Sequence, residues 1–174
     1  MRIGFLFSVL LIPFYFGMIN SNITTTVVTS FDKNKTIPVY DFEELEPLLY
    51  TNDDKVYIVN FWAMWCAPCV KELPVIQEYK KNNPNVEVLL VSLDFAEDIE
   101  TKLIPFLDNK GITSKVVLLD DPDANNWIDK IDPTWSGSIP FTIVFDKNNR
   151  SFHERAFNTI QDLENVLIQT TKNN

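Results

Sequence analysis

The chain has 174 residues, a formal net charge of −9 and a pI near 4.5. Hydrophobic residues make up 45% and Phe alone fills 13 positions, enough for a core, which excludes a largely disordered chain. The acidic balance argues against nucleic-acid binding, which needs a basic face, and two cysteines cannot build a disulfide scaffold or a four-cysteine zinc site.

Arg2 opens an apolar run from Ile3 to Ile19, closed by Asn20, Ser21 and Asn22. A basic start, an apolar centre and a polar exit form the layout of a secretory signal. The run is also just long enough to span a bilayer. Residues 1–21 are therefore expected to be a signal peptide or a membrane anchor, with both alternatives open. Either one puts the working part outside the cytoplasm, in a periplasm or cell envelope. Residues 22–35 are rich in Thr, Ser and Asn and are expected to be a linker. One folded domain is expected over 36–174.

Within that domain, Ile37 to Tyr40 suggests a short edge strand and Asp41 a helix cap, with the helix running to about Tyr50. Val56 to Trp62 is a near-continuous apolar, β-branched run, the mark of a buried central strand. Ala67 to Asn82 is expected to be a helix and Val86 to Leu93 a second buried strand. Glu97 to Asn109 follows as a helix stopped by Gly111. Val116 to Leu119 is a short strand and Asp123 to Lys130 a short helix. Phe141 to Phe145 and Ser151 to Arg155 form a hairpin around Lys147-Asn148-Asn149. Thr159 caps a last helix through Thr170, with Ile160, Leu163, Val166 and Leu167 at helical spacing. Strands that alternate with helices, then a hairpin, predict an α/β sandwich: a central mixed sheet with parallel core strands and a C-terminal antiparallel hairpin.

The chemistry concentrates in Asn60-Phe61-Trp62-Ala63-Met64-Trp65-Cys66-Ala67-Pro68-Cys69. A buried strand ends there and a helix begins at the first cysteine. The free N–H groups and positive dipole end of a helix stabilise a thiolate. That makes Cys66 the attacking sulfur and leaves Cys69, one turn on, to resolve a mixed disulfide. Pro68 sits in the first turn, where a missing N–H costs little. Pro74 lies inside the same helix and should kink it. Glu72 is three residues after Cys69 on the same helical side, where a partly buried carboxylate has a raised pKa and can handle the thiol proton. Asn60 cannot titrate. His153 is expected to be a plain hairpin residue, and the acidic run Asp120-Asp121-Pro122-Asp123 a solvated loop rather than a calcium site.

Trp65-Cys66-Ala67-Pro68-Cys69-Val70-Lys71-Glu72-Leu73-Pro74, together with Ile139-Pro140 before a strand, resembles the thioredoxin superfamily and within it the TlpA/ResA-like extracytoplasmic thiol–disulfide oxidoreductases. The resemblance covers about Thr36 to the C-terminus and implies a thioredoxin-like three-layer sandwich. It implies a Cys66–Cys69 redox disulfide, a cis Pro140 beside the Cys66 sulfur, and Ile139 backbone groups that pair with an extended client. Trp65 would add apolar docking surface and Trp135 a wall of the client groove. Glutamates at the Glu72 position handle the proton of the second cysteine in members of this kind, and Asn60 stands where cytoplasmic thioredoxins carry an aspartate. The activity implied is reduction of disulfides in extracytoplasmic client proteins, such as those of cytochrome c maturation, recharged by a membrane thiol electron donor. No organic cofactor and no metal are implied, because the dithiol is the redox centre. The alternatives are a disulfide oxidase or isomerase on the same fold, a copper(I) chaperone and, last, a peroxidase.

Overall fold

The computed structural model describes residues 36–51 and 53–171. The signal or anchor expected over 1–21 and the linker over 22–35 lie outside the described residues. Among the described residues no helix is long and apolar enough to cross a membrane.

The elements in chain order are β1 (Val39–Tyr40), α1 (Phe42–Leu45), β2 (Val56–Trp62), α2 (Ala67–Asn82), β3 (Val86–Ser92), α3 (Ile104–Asn109), β4 (Lys115–Leu119), α4 (Ala124–Ile131), β5 (Phe141–Phe145), β6 (Arg150–His153) and α5 (Ile160–Thr171). One six-stranded sheet runs in the order β1-β4-β3-β2-β5-β6. The β1–β4, β4–β3 and β3–β2 pairs are parallel, and the β2–β5 and β5–β6 pairs antiparallel. β2 is thus flanked on both sides, which its unbroken apolar sequence requires.

Strand periodicity divides the core into two layers. Ile58 and Trp62 of β2, Val88 and Leu90 of β3 and Val144 of β5 face one side, where they pack with Leu73 and Ile76 of α2, Leu103, Ile104 and Leu107 around α3, and Leu163 and Leu167 of α5. Val59 and Phe61, Leu89 and Val91, and Phe141, Ile143 and Phe145 face the other, against Phe42 and Leu45 of α1 and Trp127 and Ile131 of α4. The three-layer sandwich with parallel core strands and a late antiparallel hairpin is therefore present.

Two helices depart from the expected spans, each at a proline that lacks an N–H. The helix capped by Asp41 ends at Leu45, and Glu46–Leu49 continues as a 3-10 turn that contains Pro47. The helix expected over 97–109 is a 3-10 turn at Ala96–Asp98, a π turn at Ile99–Leu103 and then α3. Pro105 sits at the start of α3, and the Ile104 N–H reaches back five residues to the Ile99 carbonyl. The hairpin turn is built by Asp146, whose carboxylate accepts the N–H groups of Asn148 and Asn149 at 2.7 Å each.

Candidate active site

The site forms where β2 leaves the sheet. Trp62 ends the strand, and its carbonyl accepts the Leu93 N–H at 2.8 Å. The Met64 N–H then points at both oxygens of Asp94, each 3.1 Å away. Asp94 is buried just beyond β3 and also accepts the Ser92 hydroxyl at 2.8 Å. Burial pushes its carboxyl pKa upward, against the lowering effect of the Ser92 and Met64 hydrogen bonds. These contacts fix the three-residue bridge between the strand and the first cysteine. Sequence reasoning missed Asp94; its signal was a lone acid at the end of the strand that pairs with β2.

Cys66 is the N-cap of α2, with extended backbone (φ −90°, ψ 99°). Its sulfur accepts the Cys69 N–H at 3.3 Å, one of the free donors of the helix start. Cys66 and Cys69 are joined by a disulfide with an S–S length of 2.00 Å, χ3 of 74° and a Cα–Cα distance of 5.3 Å. Cys66 is 6% exposed and Cys69 fully buried, so the little solvent access that the pair has belongs to the first cysteine. Trp65 beside it is 64% exposed. Phe95, one residue after Asp94, is 62% exposed and is a second large apolar surface that the sequence did not single out.

The Ile139–Pro140 bond is cis. The Ile139 carbonyl oxygen lies 3.6 Å from Cys66 Sγ. Pro140 is buried and Ile139 half-buried, at the entry to β5. Cys66, Trp65, Ile139 and Pro140, drawn from two distant stretches of chain, are thus brought together.

Trp135 is not an open wall. It is 5% exposed and packs in the second core layer, stacked on Phe141 with ring centroids 4.0 Å apart. Phe61 and Trp127 flank it at 5.3 and 5.7 Å. Its indole N–H donates to the Ser138 carbonyl at 2.8 Å. Burying the large ring is worth more than exposing it, so the expected groove wall becomes a core anchor for the loop before Ile139.

Glu72 is fully buried on α2. Its Oε1 accepts the Asn60 side-chain N–H at 2.7 Å and its Oε2 the Phe157 backbone N–H at 2.8 Å. Burial is the dominant influence and pushes the carboxyl pKa from 4.5 up to about 7, although both hydrogen bonds and the Arg155 charge pull it down. Asn60 also donates to Thr142 Oγ1 at 3.0 Å, while its own carbonyl oxygen is buried with no hydrogen-bond partner. Thr142 and Phe157 escaped sequence reasoning because they lie 82 and 85 residues from the groups they meet.

His153 pairs through Nε2 with Ser151 Oγ at 2.9 Å, and burial lowers its pKa. Among the described residues no group of three or more His, Cys, Asp or Glu side chains is placed to hold a metal ion.

Residues 33–169 match the model of the AhpC/TSA family. The chain belongs to the AhpC/TSA family. It is similar to the thiol-disulfide oxidoreductase ResA of Geobacillus thermodenitrificans, 29% identical over 114 residues, 63% of this chain and 59% of that protein. Among solved structures it is similar to a DsbF homologue from Corynebacterium diphtheriae, with a TM-score of 0.55, 26% identity and coverage of 68% of this chain and 73% of that one. A secreted thiol-disulfide isomerase from Corynebacterium glutamicum gives a TM-score of 0.54 at 26% identity, covering 67% and 71%. The chain spans a little over half the length of the ResA it matches. The fold of this AhpC/TSA member is thioredoxin-like.

Proposed function

We propose that the protein is a thiol–disulfide oxidoreductase that reduces disulfides of client proteins through a Cys66–Cys69 dithiol/disulfide cycle. The observation that carries this reading is a disulfide at a helix start whose first sulfur lies 3.6 Å from the Ile139 carbonyl, next to the exposed Trp65. The names of the similar ResA and DsbF-like proteins support it.

In the reduced form the Cys66 thiolate attacks one sulfur of a client disulfide. A Cys66–client bond forms and the second client sulfur leaves as a thiolate. Cys69 then gives its proton to the Glu72 carboxylate and attacks Cys66 Sγ. The intramolecular disulfide re-forms, the first client sulfur leaves, and two electrons have passed to the client. A dithiol donor must return those two electrons, so a membrane thiol electron donor fits the cycle. The reading needs no organic cofactor and no metal.

The reducing direction is the one that the ResA-like resemblance implies; Cys66 Sγ meets both the Cys69 N–H, which favours a thiolate, and the Ile139 carbonyl, which opposes one. Clients outside the cytoplasm, such as a disulfide of apocytochrome c that is reduced to its thiols, fit the Arg2-to-Ile19 apolar run and the secreted relative.

Trapping tests the order of events. Cys69→Ser, incubated with a disulfide-bonded protein such as insulin, should accumulate a mixed disulfide through Cys66. Cys66→Ser should accumulate none. Equal trapping by both variants would remove the roles assigned to the two sulfurs.

A further inference from the structure

The loop Asp132 to Ile139 joins α4 to β5 without regular structure, yet it delivers the residue that faces Cys66. From inside, the loop hangs on Trp135, whose buried indole bonds the Ser138 carbonyl. From outside, it meets Glu154, the exposed residue immediately after β6. The Glu154 carboxylate accepts the Ser136 N–H at 3.2 Å, the Ser138 N–H at 3.2 Å and the Ser136 hydroxyl. The two serine hydroxyls lie 2.9 Å apart. Gly137 between them has φ +86°, a left-handed conformation that turns both amides toward one carboxylate. These bonds hold Glu154 in its charged form, its pKa lowered first by the Ser136 side chain.

Ser138 is bonded directly to Ile139, so whatever fixes the Ser138 amide fixes the start of the Ile139 edge. β6 is in turn fixed to β5, with His153 opposite Thr142. The carboxylate therefore ties the loop to the same hairpin that carries Pro140 into the sheet.

We propose that Glu154 is a positioning residue: its carboxylate clips the Ser136–Ser138 turn and so presents the Ile139 main chain in register for an extended client next to Cys66. The proposal rests on the oxidoreductase reading above and deepens it. A small disulfide needs only the sulfur of Cys66, whereas a protein client also needs the Ile139 edge. Loss of the clip should therefore separate the two kinds of substrate.

The test uses the full chain with insulin and with a small aromatic disulfide. In Glu154→Ala, kcat/KM for insulin should fall about tenfold further than the rate with the small disulfide, chiefly through KM, in line with loss of charge-assisted hydrogen bonds. Glu154→Gln retains one acceptor oxygen but no charge and should recover part of that gap. Ser136→Ala, which keeps the carboxylate and both amides, should show a smaller gap and serves if Glu154→Ala does not fold. Equal losses with both substrates, or no loss with either, would overturn the positioning role. If the unaltered chain reduces neither substrate, the oxidoreductase reading itself fails, a result separate from the behaviour of the variants.

Discussion

Glu72 carries a cost that depends on pH. Its pKa is about 7 when folded against an ordinary 4.5, so the folded state holds a proton that the unfolded chain has released between those values. Stability must therefore fall as pH rises from 4.5 through about 7, and the loss is complete above that range. A shift of this size corresponds to about 3 kcal/mol. Glu72→Gln, neutral at all pH, should remove this part of the slope: urea unfolding at pH 5 and 8 should show the unaltered chain losing about 2–3 kcal/mol more than the variant. Parallel profiles would mean that the carboxyl is not held near neutrality. The placement of Cys66, Cys69 and Glu72 together at the start of one helix was legible at this scale, since all three lie within its first two turns. The partners of Glu72 were not, since Asn60 comes from β2 and Phe157 from the loop after β6.

At the scale of elements, β2, α2, β3 and β5 were legible from apolar runs and a cysteine at a helix start. The broken helices were not, because Pro47 and Pro105 act through single missing donors inside patterns that otherwise look helical. Trp135 shows a second blind spot. A tryptophan in a loop next to Ile139 has the right address for a client groove, but its stacking on Phe141 draws it into the core. Trp135→Ala should accordingly behave as a core truncation and cost about 3–5 kcal/mol, read as a lower urea midpoint. A loss below about 1 kcal/mol would show that the ring is not the anchor described here. The contrast with Glu154 is instructive. Both residues fix the loop before Ile139, but one does so by buried area and the other by surface hydrogen bonds.

Over the whole molecule, the sheet order puts β2 between a parallel and an antiparallel neighbour, and this placement assembles the site. The end of β3 supplies Asp94 and Phe95, the start of β5 supplies the Ile139–Pro140 edge, and β2 with α2 supplies the disulfide. The architecture followed from the alternation of strands and helices, and the AhpC/TSA match agrees with it. Trp65 and Phe95, both more than half exposed, flank the disulfide from the end of β2 and the end of β3. The most direct test of the reducing assignment is the reduction potential of the Cys66–Cys69 pair in the full chain, equilibrated in dithiothreitol or glutathione buffers and read by thiol alkylation. A single two-electron transition near or below about −250 mV is the predicted result. A transition near −120 to −180 mV would contradict the reducing direction, and a pair that did not cycle at all would contradict the oxidoreductase itself.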